Sequence, residues 1–445
     1  MSSSKTDPEP SAVEPPEPVG ADKRRQRLSA RLPLLYFALA HLSLAAAFAE
    51  IALEPQRLVG FYYHPRMIAV VHLVTLGWIS GSILGALHLV GPMALRTPMP
   101  ARRLDYWAYV FFFFGSTGVV GHFWIEEYSG VAWSGLMLTV VFARVGWKLL
   151  RPLRQAPVAA AVRVHFTLAF FNIGLAALAG TLLGLNKHIP FLPGRALTHA
   201  FGHAHLAALG WATLMVFAAG YRLLPMLLPA AMPSGRWLWT SAALLELGVL
   251  GLFVAFLVQG SWLPLAATAC VAGIAAFFGW LGWMLRHPRP APKALIRPDY
   301  GVAQVAISFI YLGVTCGLGL YLSLTPASEH TLRLAKVYGV CGLLGFLSQI
   351  VVGVSARLMP IFARLLVADW STAQLTPHEL PDRRLQAATF GLWLLGVPAL
   401  ATGFYLEQAW ILSLAAWTLL AAVVAGGASH WVVLRAARPP RDSRT

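Results

Sequence analysis

The chain has 445 residues, of which 58% are hydrophobic and only 12% charged, and its formal net charge is +16. A mean hydropathy of +0.65 excludes an ordinary soluble domain, because such a chain would expose a very large apolar surface to water. The basic residues fall in short clusters between apolar stretches, a distribution that argues against a nucleic-acid-binding protein and is typical of a membrane protein.

The N-terminal segment, 1–32, contains Pro-Glu-rich runs followed by Lys23-Arg24-Arg25 and no apolar stretch. We expect it to be a disordered cytoplasmic tail rather than a signal peptide. Residues 33–435 are predicted to form a single membrane domain, and 436–445 a second basic cytoplasmic tail.

The membrane domain is predicted to be all-α and polytopic, with twelve transmembrane helices. The twelve apolar stretches lie at 33–53, 67–90, 105–121, 131–150, 163–185, 199–228, 235–258, 262–285, 301–323, 331–360, 385–404 and 408–434. Arginine and lysine are concentrated in the even-numbered connections and at the two chain ends. The positive-inside rule therefore predicts that both termini are cytoplasmic, in a bacterial-type inner membrane.

Three of these stretches share one pattern of glycine and proline, without gaps. Gly77, Gly210 and Gly345 each follow a leucine, precede an aromatic residue and lie 15 positions before a proline. The pattern recurs every 130 to 135 residues, the length of about four membrane helices. We therefore expect three pseudo-symmetric four-helix arcs whose second helices lie innermost. The glycines have two interpretations, close helix packing or room for a flat ring, and close packing is favoured.

Histidines near the outer ends of the second and sixth stretches are the candidate site residues. A histidine inside a membrane helix is costly to bury without a partner, so it is a functional candidate by default. Neutral imidazole suits copper, zinc or haem iron. His203 and His205 diverge by about 200° around a helix, so they are expected to serve two neighbouring sites. The residues named are cofactor ligands His72, His203 and His205, and metal ligands His64, His199, His203 and His205.

Other residues of the same types receive a structural interpretation. A lone histidine in a membrane helix is about as often a hydrogen-bond partner for a neighbouring helix as it is a ligand. His41, His88 and His430 are expected to be structural or interfacial. The three cysteines lie inside apolar stretches without metal-binding spacing, and they are expected to be packing residues.

Two segments resemble the second and sixth helices of the catalytic subunit I of the haem–copper oxidase superfamily, in the branch of C-type cytochrome c oxidases and nitric oxide reductases. They are His72-Leu-Val-Thr-Leu-Gly-Trp and His203-Ala-His205-Leu-Ala-Ala-Leu-Gly-Trp, the second continuing to Tyr221-Arg-Leu-Leu-Pro225. The resemblance covers nearly the whole chain after residue 32. It implies haem b, copper or both, with His72 as an axial haem ligand and His203 or His205 as a copper ligand. A cytochrome c or another respiratory subunit is the implied partner.

The chain departs from that superfamily at its remaining ligands. The tenth stretch, around Lys336-Val-Tyr338, lacks the His-x-His pair, and the seventh, from Trp237 to Glu246, lacks the His-His pair. The Arg pair that grips haem propionates is also missing between the last two stretches. Standard oxygen reduction is therefore not expected, and no catalytic residue is named. If the protein is an enzyme, it is an oxidoreductase.

We expect a role in respiratory electron transfer, nitric oxide handling or respiratory-complex assembly. One alternative is the NnrS type of haem and copper membrane protein, although its Trp-His-x-His-Glu sequence is absent. Another is a secondary transporter or metal permease, in which outer histidines capture a cation.

Overall fold

The computed structural model describes residues 19–232, 235–290, 298–365 and 381–436. Within these ranges the chain is helical, without strands, and it forms an all-α polytopic bundle. The long helices are α1 Val19–Leu53, α2 Pro65–Ala94, α3 Arg103–Trp124, α4 Val131–Leu153, α5 Ala160–His188, α6 Ala196–Leu227, α7 Trp237–Val258, α8 Leu263–Leu285, α9 Tyr300–Leu324, α10 Glu329–Ala363, α11 Arg383–Leu406 and α12 Ala409–Ala436.

Among the described residues, eleven helices are long and apolar enough to cross a membrane. The expectation of twelve spans is therefore met in part, because α3 is not among the eleven. It has 22 residues, but it begins with Arg103 and carries Asp105 in its first turn. The helix α1 begins at Val19, inside the segment expected to be a disordered tail, and 1–18 and 437–445 lie outside the described residues.

Each helix contacts the next one in the chain, and the last helix, α12, contacts the first, α1. The pattern of further neighbours repeats every four helices: α1 also contacts α3, α5 contacts α7, and α9 contacts α11. The helices α2, α6 and α10 are innermost, and their middle segments contact one another. These are the three helices that carry the glycine–proline pattern.

Each inner helix changes to a π-helix at the same position of the repeat. The π segments are Leu73–Ser80, Leu206–Thr213 and Cys341–Ser348, and the repeat glycine is the fifth residue of each. A π segment widens the helix and is frequently found at functional sites. The local conformation thus follows the sequence repeat, although the repeat alone does not predict π-helix.

The repeat glycines allow close packing against the first helix of each group of four. A Cβ atom at Gly77 would collide with Ser43 of α1. At Gly210 it would lie 2.7 Å from Cβ of Asn172 in α5, and at Gly345 it would lie 2.5 Å from the ring of Tyr311 in α9. The close-packing interpretation of these glycines is therefore confirmed.

The connections fall on two faces of the bundle. On one face, Lys336 Nζ donates hydrogen bonds to Gly60 O at 2.9 Å and to Glu407 Oε1 at 2.6 Å. We call this the histidine side, since α2, α6 and α10 begin there. On the opposite face, Arg222 Nε donates to Ala94 O at 2.9 Å. We call that face the basic side, because the arginine-rich connections lie there.

Candidate functional site

Two polar pairs join the inner helices near the histidine side. The rings of His72 in α2 and His203 in α6 have centroids 6.4 Å apart and planes 27° apart. The hydroxyl of Tyr338 in α10 lies 3.3 Å from Nε2 of His205 in α6, with ring centroids 6.2 Å apart. His203 and His205 therefore serve opposite neighbours, as their divergence on the helix predicts.

The two pairs occupy equivalent positions in the repeat. In each pair one residue, His72 or His205, lies five positions before the repeat glycine of its own helix. Its partner, His203 or Tyr338, lies seven positions before the repeat glycine of the next inner helix. At the third interface, between α10 and α2, the same rule selects Val340 and Val70, which are 7% and 4% exposed. Polar pairs thus stand at two interfaces, while the third has apolar residues.

Hydrogen bonds fix the tautomer of both histidines in the first pair. Nδ1 of His72 lies 2.8 Å from Ile68 O, and Nδ1 of His203 lies 2.9 Å from Ala176 O. A carbonyl oxygen can only accept, so each Nδ1 carries the proton and each Nε2 keeps its lone pair. Metal-bound histidines are commonly held by this type of Nδ1 hydrogen bond. Both Nε2 atoms are in the form that binds a metal ion.

His205 differs because its lone pair already has a partner. Its Nδ1 donates to Phe201 O at 2.8 Å, so Nε2 accepts from the Tyr338 hydroxyl. Phe256 packs against the ring, with centroids 5.2 Å apart. No hydrogen bond of this kind is made to Nε2 of His72 or His203 within the described ranges.

Aromatic and small residues surround the His72–His203 pair. Phe123 of α3 lies parallel to His72, with centroids 5.8 Å apart and planes 8° apart. Gly180 of α5 faces His203, and a Cβ atom there would lie 2.9 Å from Cε1 of the imidazole. Both histidines are half-buried.

A lysine lies beside this pair on the histidine side. Lys187 Nζ is 5.8 Å from the ring centre of Phe123, 5.5 Å from that of Tyr63 and 4.9 Å from that of Tyr128. Cation–π attraction to three rings holds the ammonium group near the edge of the site. Burial raises the pKa of Tyr63, so its hydroxyl stays neutral at physiological pH.

The other predicted metal ligands lie apart from the pair. His64 is the N-cap of α2, where its Nδ1 accepts from Met67 N at 3.4 Å, and burial lowers its pKa. His199 Nε2 donates to Pro193 O at 2.6 Å. Across the described ranges, no group of three or more His, Cys, Asp or Glu side chains could hold a metal ion. His64, His199, His203 and His205 therefore do not meet at one centre.

Two cavities lie away from the histidine pairs. One, of about 100 Å³, lies between the inner helices towards the basic side and has an almost wholly apolar lining. The other, of about 40 Å³, lies near α1 and α12. Neither is lined by His72, His203 or His205.

Several polar pairs at this site and in the spans have no signal in the sequence. Tyr338 is marked by no motif or spacing as the partner of His205. Asp105 pairs with Lys148 at 2.8 Å, Glu50 pairs with Arg66 at 3.2 Å, and the Glu246 carboxylate accepts from Asn172 at 2.7 Å. Each partner lies on another helix, so spacing along the chain gives no signal.

Neither protein-family models nor curated proteins contain a match to this chain.

Proposed function

We propose that this membrane protein binds one redox metal centre, copper or the iron of haem b, between α2 and α6. The observation that carries the proposal is the His72–His203 pair, whose two Nε2 lone pairs have no protein hydrogen-bond donor among the described residues. A role in respiratory electron transfer or in nitric oxide handling follows from such a centre, with a cytochrome c or another respiratory subunit as electron donor.

The separation of the two rings supports a shared metal. Metal–imidazole nitrogen bonds are about 2.0–2.1 Å long, so two imidazoles on opposite sides of one ion have centroids about 6 Å apart. The observed distance is 6.4 Å.

Two histidine ligands suit either a copper ion or a haem iron. Copper is well suited to imidazole nitrogen, and haem iron takes two axial ligands in addition to the porphyrin. Either centre, when bound, supplies one-electron transfer. The packing of Phe123 and Gly180 against the pair favours copper, because a single ion needs no slot. His72 and His203 would hold the centre, while Ile68 O orients the ring of His72 and Ala176 O orients that of His203.

Membership of the haem–copper oxidase superfamily is part of the proposal. Support comes from the sequence resemblance and from the contact pattern that repeats every four helices. We place twelve spans in three four-helix arcs, with α3 as the twelfth. Its 22 residues are about 33 Å long at 1.5 Å per residue, enough for the hydrocarbon core. Both chain ends then lie on the cytoplasmic side of a bacterial-type inner membrane.

A metal permease is the second function considered, because two half-exposed ligands are also suited to transient capture of a cation. Chelation separates the two functions. A resident redox centre stays with the purified protein after treatment with a chelator, whereas a transported ion exchanges and accumulates in proteoliposomes.

The test is the absorbance spectrum and metal content of purified protein and of His72→Ala. We expect wild type to retain copper or to show a haem Soret band, and His72→Ala to lose it while eluting as a folded monodisperse protein. The matched control is His88→Ala, on the same helix, whose ring donates to Leu84 O at 2.9 Å and stacks on Tyr36. Absence of both metals from wild type would exclude a resident centre.

A further inference from the structure

Two arginines stand at equivalent positions of the second and third repeats, but they differ in their partners. Each lies 12 residues after the repeat glycine. Arg357 of α10 forms an ion pair with Asp299, the N-cap residue of α9. Arg222 of α6 has no such carboxylate among the described residues, and the N-cap residue of the corresponding helix, α5, is Ala159. The second repeat therefore keeps the arginine without the acid that neutralises it in the third.

Two contacts hold the guanidinium group of Arg222 in place on the basic side. Its Nε donates to Ala94 O, at the end of α2, at 2.9 Å, and its Nη1 donates to Sδ of Met232, in the connection after α6, at 3.6 Å. Its Nη2 has no acceptor among the described residues and is not enclosed by protein, whereas the unpartnered Nε of Arg357 is buried. One N–H edge of a positioned guanidinium group is thus open to an external acceptor.

A second arginine lies beside this group in an unfavourable backbone conformation. Arg96 follows Leu95, the C-cap residue of α2, and has a φ of +50°. This is the left-handed region, in which glycine is the usual residue after a helix end. Arg96 is only two residues from Ala94, which Arg222 binds, and its side chain is exposed. Backbone strain that a glycine would relieve is often found at functional sites, so the arginine at this position points to a use for its charge.

Further basic residues extend this region towards α8. Arg289 N donates to Pro229 O at 2.8 Å, so the connection after α8 lies against the connection after α6. The side chains of Arg286 and Arg289 are exposed there. Within the described ranges, no ion pair is made by the members of this basic cluster, which are Arg96, Arg222, Arg286 and Arg289.

Tryptophans place the basic cluster at the depth of the lipid headgroups. Trp237, which is 58% exposed, begins α7 next to the connection after α6. Trp283, in the last turn of α8, stacks on His287 with ring centroids 4.5 Å apart. Tryptophan is enriched at the ends of membrane helices because its amphipathic ring suits the interface. A ligand of the cluster can therefore come from the membrane itself.

The chemistry of the ligand follows from the guanidinium groups. Arginine binds phosphate oxygens through charge-assisted, often paired hydrogen bonds. Basic pockets between membrane helices bind the headgroups of anionic lipids. We propose that Arg222 and Arg96 bind the phosphate group of an anionic phospholipid, while the other arginines of the basic cluster attract it at longer range. This site is separate from the proposed metal centre.

The experiment is native mass spectrometry of the full chain in detergent, titrated with dioleoylphosphatidylglycerol or with dioleoylphosphatidylcholine, whose choline group cancels the phosphate charge. Wild type should bind phosphatidylglycerol more tightly than phosphatidylcholine. Arg222→Gln, which keeps an N–H donor but loses the charge, should bind phosphatidylglycerol about fivefold more weakly. The matched control is Arg151→Gln, which removes the same charge from an exposed side chain at the end of α4 and should bind like wild type.

A second variant separates lipid binding from folding. Glycine suits the left-handed conformation, so Arg96→Gly should leave the unfolding midpoint unchanged or raise it, while phosphatidylglycerol binds about fivefold more weakly. Inorganic phosphate at the concentration of the lipid should not displace it. The proposal is overturned if wild type binds the two lipids equally, if Arg222→Gln or Arg96→Gly binds phosphatidylglycerol like wild type, if Arg151→Gln loses as much affinity as they do, or if inorganic phosphate displaces the lipid.

Discussion

Replacing Lys336 by methionine should remove the contact that ties three parts of the histidine side together. The Lys336 side chain is 4% exposed, and its ammonium group donates both to Gly60 O and to the Glu407 carboxylate. Removing one partner of a fully buried pair costs about 3–5 kcal/mol. Glu407 keeps 29% of its side chain exposed, so solvent screens part of the loss. We expect Lys336→Met to lower the free energy of unfolding by about 2–3 kcal/mol.

The assay is equilibrium unfolding in mixed micelles, with Arg57→Met as the control. Arg57 pairs with Glu54 at 3.0 Å, but their side chains are 54% and 50% exposed, so this substitution should cost less than about 1 kcal/mol. A double-mutant cycle with Glu407→Gln should give a coupling energy of at least about 1 kcal/mol. Equal losses for Lys336→Met and Arg57→Met, or strict additivity in the cycle, would refute the reasoning.

The Lys336–Glu407 pair predicts that the stability of the protein depends on pH. The hydrogen bond from Lys336 lowers the pKa of Glu407 below its ordinary value of 4.5, and Arg333 adds to the effect. A carboxyl group with a lowered pKa stabilises the fold above its unfolded-state pKa, and this contribution is lost as the pH falls through the folded-state pKa. The stability difference between wild type and Glu407→Gln should therefore be constant above about pH 5 and shrink below 4.5. A difference that does not change in acid would contradict the assignment.

Two further predictions concern packing and topology. Gly210→Ala should destabilise the protein by about 1–3 kcal/mol, because the new Cβ would meet Asn172 at 2.7 Å. The control is Gly174→Ala, also in a helix, where the new Cβ would have no atom within 4 Å; this substitution should be neutral or slightly stabilising. Equal unfolding free energies for the two variants would show that the close contact at Gly210 is unimportant. Reporter fusions at Glu127 and Pro190 should read as external, and a cytoplasmic signal at either would reverse the proposed orientation.

The sequence was sufficient to predict an all-α polytopic protein because its signals are periodic and local, although eleven of the described helices, not twelve, are long and apolar enough to cross a membrane. The glycine–proline repeat identified α2, α6 and α10 as inner helices, and the contacts among their middle segments agree. The interpretation of Gly210 as a packing residue also holds, since Asn172 lies against it. The π segments were not predicted, because no residue pattern separates them from α-helix.

The candidate site was predicted only in part, since its partners come from different helices. The divergence of His203 and His205 correctly indicated that the two rings meet different neighbouring helices. Which group each histidine meets depends on how α2, α6 and α10 are rotated, so the pairing of His203 with His72 and of His205 with Tyr338 could not be read from spacing. His199 shares a helical face with His203, yet it lies at the helix start and bonds to Pro193.

The central claim is that His72 and His203, but not His205, hold a metal centre. Its most direct test is the metal and haem content per protein of His203→Ala and His205→Ala, purified in parallel with wild type. The account predicts about one centre in wild type and in His205→Ala, whose Nε2 is already bonded to Tyr338, and none in His203→Ala. Loss of the centre in His205→Ala with retention in His203→Ala, or equal content in all three proteins, would contradict it.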